Sequence, residues 1–193
     1  MTWIDIPEVA VVKLKEPSIK DYSFQGQIVM STGSGVHQGV ERILLDNIPG
    51  SCVIEKALKA DDKAGVDYWA YRKQARPLAI DAKIRSLDPI EEFGKDDLAL
   101  ELWSVIENNV IGWTLDVSKQ SDFILWLFEP TARWVLIPFP MLCAVFNQKK
   151  ALWCSQHKRV VQSSDEGSWH SECVFVPRHE IWAAIYQRYG GGR

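Results

Sequence analysis

At 193 residues, 47% hydrophobic and 24% charged, the chain has the make-up of one soluble globular domain with room for a sizeable core. A net charge of −3 excludes a uniformly basic nucleic-acid coat but leaves room for a local basic groove. Residues 1–20 lack a basic segment followed by a long apolar run, and the longest apolar stretch, 133–146, is interrupted by two prolines, so neither a signal peptide nor a membrane span is expected. Four widely spaced cysteines (Cys52, Cys143, Cys154, Cys173) fit reduced thiols, and the expected location is the cytoplasm.

In chain order, residues 1–33 give no clear pattern beyond a strand candidate at 26–32 (GQIVMST), running into a glycine-rich stretch, STGSGVHQG, that reads as a loop. A helix is predicted over 34–47, where Val40, Ile43 and Leu44 recur at helical spacing and NIPG stops it. A second helical piece is predicted at 52–60, then a polar loop, ADDKAG. Three strands follow. VDYWAY (66–71) is aromatic and β-prone. PLAIDAKIRS (77–86) alternates, with Leu78, Ile80, Ala82 and Ile84 on one face and Asp81, Lys83 and Arg85 on the other. LALELWSV (98–105) alternates likewise and places Glu101 opposite its leucines. Residues 121–139 read as two strands joined by an EPTA turn, 140–153 as a helix, 171–177 as a strand and 178–189 as a closing helix with Ile181 and Ile185 on one side. The terminal GGGR reads as a frayed tail.

The period-two pattern takes Asp81 and Lys83 off the core face, and Asp67, at the start of the preceding strand, can reach them. Two neighbouring carboxylates repel unless a cation lies between them. A hard, oxygen-loving ion such as Mg²⁺ or Mn²⁺ suits such a pair, and an adjacent ammonium can orient or deprotonate an attacking water and stabilise charge on phosphorus.

Read as D…(D/E)-x-K, GVDYW and IDAK resemble the signature of the PD-(D/E)XK nuclease superfamily, with Val66 standing where that signature has proline. The upstream helix carries Glu41, where the family often has a further acid, and the downstream strands are similar to its usual continuation. The resemblance covers about residues 36–140. It implies an α/β fold with a central mixed β-sheet flanked by helices, the restriction-endonuclease-like αβββαβ core, within a single domain spanning 1–193 and extended by a strand and helix at 151–190. It also implies metal-dependent DNA cleavage, with Asp67 and Asp81 on Mg²⁺ or Mn²⁺, Lys83 assisting the water and Glu41 as an auxiliary ligand. In that frame the strand of Asp81 is flanked by those of Asp67 and Glu101, and Arg72, Lys73, Arg76, Arg85 and Lys119 are DNA-contact candidates.

Other readings stay open. The acids and lysine also fit a surface ion pair on an interaction protein, and the family includes members that kept the fold and lost catalysis. Cys154, His157, His170 and Cys173 have the donor types of a zinc site, although Cys173 sits in a strand pattern. Ser118, Lys119 and Asp122 read as a turn, and Lys149, Lys150, Lys158 and Arg159 form a second basic stretch. The aromatic segments ILWLF and RWVLIPFP suggest either a homodimer interface or the two buried faces of a central strand pair.

Overall fold

The computed structural model describes residues 18–21, 34–62, 64–163 and 168–190; the strand expected at 26–32 and the tail after Gly190 lie outside them. In chain order the elements are β1 (Ser18–Asp21), α1 (Ser34–Asn47), β2 (Ser51–Lys56), α2 (Lys59–Asp62), β3 (Tyr68–Arg72), β4 (Ala75–Arg85), α3 (Pro89–Phe93), β5 (Asp97–Val105) and β6 (Val110–Ile111). They continue with β7 (Phe123–Phe128), β8 (Arg133–Pro138), α4 (Phe139–Gln156), β9 (Lys158–Ser163), β10 (His170–Pro177) and α5 (Arg178–Tyr189). None of the described helices is long and apolar enough to cross a membrane.

The fold is mixed α/β, with two five-stranded mixed sheets ordered β2-β3-β4-β7-β8 and β1-β9-β10-β5-β6. In the first, β2, β3 and β4 form an antiparallel meander, β7 lies parallel to β4, and β8 returns antiparallel. The strand of Asp81 therefore lies between β3 and β7. The strand of Glu101, expected beside it, belongs to the second sheet and pairs with β10. The chain passes from β4 to β7 through the short α3 and the β5–β6 hairpin.

Sheet B, as we name the first sheet, is covered on both faces. On one, Tyr68, Ala70, Leu78 and Ile80 meet Val36, Val40 and Leu44 of α1. On the other, Ile124, Trp126, Val135 and Ile137 meet Leu98, Leu100 and Leu102 of β5, Val174 and Val176 of β10, and α4 and α5. β7 serves both cores through alternate residues, which explains its unbroken apolar sequence, FILWLF.

Two expected elements differ. Residues 51–56 form β2 rather than a helix. Gly50, at φ +79°, ends the reversal after α1, and the β-branched Val53 and Ile54 then pair with β3. The glycine-rich stretch is helical from Ser34 onward.

Candidate active site

Gly65 adopts φ +76°, a conformation that lets the chain turn sharply before β3. The Ser121 hydroxyl donates to the Gly65 carbonyl, and the Lys119 stem packs where a side chain on Gly65 would begin, its Cδ 2.6 Å from that position. Asp67 is then held from both sides: its N–H donates to the Ile80 carbonyl at 2.8 Å, and its carbonyl accepts from the Ala57 N–H at 2.8 Å. Because Tyr68 pairs with Ile80, Asp67 comes level with Asp81 on the neighbouring strand. One Asp67 carboxylate oxygen, Oδ2, accepts the Ala82 N–H at 2.7 Å.

Lys83 brings its Nζ to 2.7 Å from Asp81 Oδ1. The contact is an ion pair whose angles leave that buried oxygen without a regular hydrogen bond. On another side the same ammonium lies 5.0 Å from the centre of the Trp113 ring. Trp113 rests on Trp126 and Phe139, with centroids 5.9 and 6.3 Å away, and its backbone N–H donates to the Glu101 carboxylate at 2.9 Å. Gly112 makes this crossing possible, since a Cβ there would overlap the Glu101 carbonyl. Glu101 also accepts the Ser104 hydroxyl at 2.6 Å, so it positions the tryptophan instead of pairing with Lys83 or Arg85.

Burial and the neighbouring Asp81 charge push the Asp67 carboxyl up to about 6, against the weaker downward pull of the Ala82 N–H and Lys83. The expectation that Asp81 avoids the interior is corrected: it is 4% exposed, because the second sheet, α4 and α5 cover this face of β4.

Sequence reasoning brings Asp67, Asp81 and Lys83 together as the structure does, but not Glu41. Its helix packs on the Ile80 face of sheet B, whereas Asp81 and Lys83 point to the other. The electrostatic neighbours of Glu41 are His37 and Tyr68. Among the described residues no three His, Cys, Asp or Glu side chains gather as a metal cluster would. The site offers a hard cation two carboxylates, with Asp81 Oδ1 buried and ion-paired to Lys83. That donor set fits Mg²⁺ or Mn²⁺, which keep several waters, and does not fit a softer metal that needs nitrogen or sulfur donors.

The basic candidates divide by position. Arg72, Lys73 and Arg76 occupy the β3–β4 hairpin tip, where Arg72 donates to the Arg76 carbonyl and Arg76 pairs with Asp122. Five residues of extended strand set Arg76 roughly 16 Å from Asp81, so the tip does not line the carboxylate site. Asp122 is a clamp, also accepting the Ala79 N–H at 2.9 Å. Arg85 shares the face of Asp81 and Lys83, and Lys119 stands at the loop carrying Asp67.

The zinc reading fails on register. β9 and β10 pair with His170 opposite Ser163 and Phe175 opposite Lys158, which puts His157 and His170 at opposite ends of the hairpin, roughly 20 Å apart. His157 pairs with Glu180 at 2.9 Å, and His170 with Glu107. Trp113 is the residue that sequence reasoning missed; GW in NNVIGWTLD, a glycine beside a bulky ring, was the only local signal. No protein-family model, curated protein or solved structure matches the chain.

Proposed function

We propose that the chain is a divalent-metal-dependent DNA endonuclease of the PD-(D/E)XK type. The observation that carries this reading is the pair of carboxylates, Asp67 and Asp81, level on adjacent strands with the Lys83 ammonium 2.7 Å from Asp81. The order α1, three antiparallel strands and a parallel fourth, β7, supports it, although the connection through β5 and β6 departs from the simple αβββαβ order.

Asp67 and Asp81 would hold Mg²⁺ or Mn²⁺, which supplies Lewis-acid activation of water and phosphate when bound. The Ala82 N–H fixes one Asp67 oxygen and so orients the carboxylate. Asp81 and Trp113 hold the Lys83 ammonium in place, ready to donate to a water or to a phosphate oxygen as negative charge develops there. Arg85 and Lys119 are the basic candidates near enough to the site to meet flanking phosphates.

One observation favours a second reading, a nuclease-fold binding protein without catalysis: Asp81 is closed off at 4% exposure and ion-paired. One assay separates the two. Supercoiled, linear, single-stranded and branched DNA are incubated with Mg²⁺ or Mn²⁺. Cleavage that chelator abolishes, and that Asp81→Asn and Lys83→Met each lower by about a hundredfold or more, is the expected result. DNA binding without cleavage under any of these conditions would establish the silent reading.

A further inference from the structure

Away from the carboxylate site, the outer face of the second sheet carries a groove of about 610 Å³, within the range of ligand-binding clefts. Lys95, Asp97, His157, Lys158, Phe175 and His179 line it. Its centre follows from strand register. Phe175 lies directly across from Lys158 on one side and from Ala99 on the other, so ring and ammonium share a face while the small alanine cannot cover the ring. Lys95, Lys158 and His179 are exposed, and no recorded ion pair among the described residues uses either lysine ammonium.

The acids nearby are largely spoken for. Asp96 is bound by Arg133 at 2.8 Å and Arg178 at 2.6 Å, Glu180 by His157, and Glu172 by Arg159. Asp97 remains as the one acid lining the groove without a recorded ion pair among the described residues. A half-buried aromatic beside the Lys158 ammonium, with the Lys95 ammonium lining the same open groove, suits a chain that offers phosphates and unpaired bases in alternation.

We propose that this groove binds single-stranded nucleic acid, with Lys95 and Lys158 on phosphates and Phe175 stacked on a base. The proposal extends the reading above by giving the same strand a second contact, and rests on it for the identity of the polymer.

The test is anisotropy of a fluorescent single-stranded oligonucleotide with the full chain in chelator, where no cleavage intervenes, over a salt series. Lys95→Gln/Lys158→Gln, both at exposed positions, is expected to weaken binding and to flatten the slope of log affinity against log salt by about 1.4. Phe175→Leu keeps an apolar side chain on the sheet and is expected to weaken binding about fivefold or more at unchanged slope. Unchanged affinity in both variants overturns the proposal, as does a duplex that binds as tightly and loses as much on Phe175→Leu. Binding lost in these variants, with no DNA cleaved by the unaltered protein, supports the groove while removing the catalytic reading. Cleavage by a protein whose groove variants bind normally does the reverse.

Discussion

At the scale of single residues, Asp67 carries the sharpest consequence. Its carboxyl is raised from an ordinary 3.8 to about 6, so the folded protein holds this proton more tightly than the unfolded chain does. The resulting stabilisation is complete below pH 3.8 and is lost as pH rises through 6. Asp67→Asn has no proton to lose. Its Tm relative to the unaltered protein should therefore climb between pH 4 and 7 and level off above, as scanning calorimetry in chelator would record. A flat difference would mean that neither burial nor the Asp81 charge raises the Asp67 carboxyl. A cation that binds the ionised pair must oppose the same loss. At pH 8, Mg²⁺ or Mn²⁺ at about a hundred times its Kd should stabilise the protein by about 2.7 kcal/mol. Neither Asp67→Asn nor Asp81→Asn should show that gain. The Asp67–Asp81–Lys83 arrangement was legible because it rests on alternation along one strand and a short link to the next. The burial of Asp81 was not, since alternation tells which face a residue takes but not what covers that face. Trp113 reaches Lys83 only because the β5–β6 excursion belongs to another sheet, and no local pattern encodes that.

Among the elements, a chain of ion pairs ties α3, β8 and α5 together. Arg133 donates to both oxygens of Asp88, at 2.9 and 2.7 Å, and to Asp96 at 2.8 Å; Asp96 also accepts from Arg178 at 2.6 Å. Asp88 is 3% exposed and caps α3 through the Ile90 N–H. The Arg133 hydrogen bonds hold its carboxyl far below the usual range. A depressed carboxyl contributes stability above the unfolded pKa of 3.8 that is lost only as pH falls below it. Arg133→Met leaves that buried carboxylate unpaired and should cost about 3 kcal/mol at neutral pH. Urea melts would show the deficit shrinking toward pH 3; a neutral-pH effect within a few tenths would assign the network no structural role. The legibility of the elements follows what each buries. Helix α1 and strands β4, β5, β7 and β10 announce themselves because alternate or every-third-and-fourth residues meet a core. Strand β2 buries only Ile54, so its identity comes from pairing with β3 rather than from its sequence. Strand β9 buries only Val160 among polar neighbours and read instead as a basic stretch.

Across the whole molecule, β7 is the strand that both cores share. Ile124 and Trp126 enter the core shared with the second sheet, while Leu125 and Leu127 enter the core beneath α1. The aromatic segments that suggested a dimer are thus largely consumed within one chain. Ile124 and Leu125 are fully buried and Trp126 is 1% exposed, whereas Trp134 in the second stretch stays exposed at 36%. A strand shared by two cores also couples them. Neither can open without stripping one face of β7, and the apolar side chains so exposed would each lose on the order of 2 kcal/mol of burial. The two cores should therefore unfold together. Leu125→Ala, on the α1 side, and Ile124→Ala, on the other, should each cost about 2–5 kcal/mol. Both should move one common transition, with tryptophan fluorescence and far-ultraviolet dichroism giving coincident midpoints in urea. The fluorescence test is run in a Trp134→Phe background, because Trp134 borders α1 whereas Trp113, Trp126 and Trp153 lie in the core away from it. If Leu125→Ala melted the α1 side alone, dichroism would shift to lower urea while tryptophan fluorescence held its midpoint. The coupling through β7 would then be too weak to make the molecule one cooperative unit.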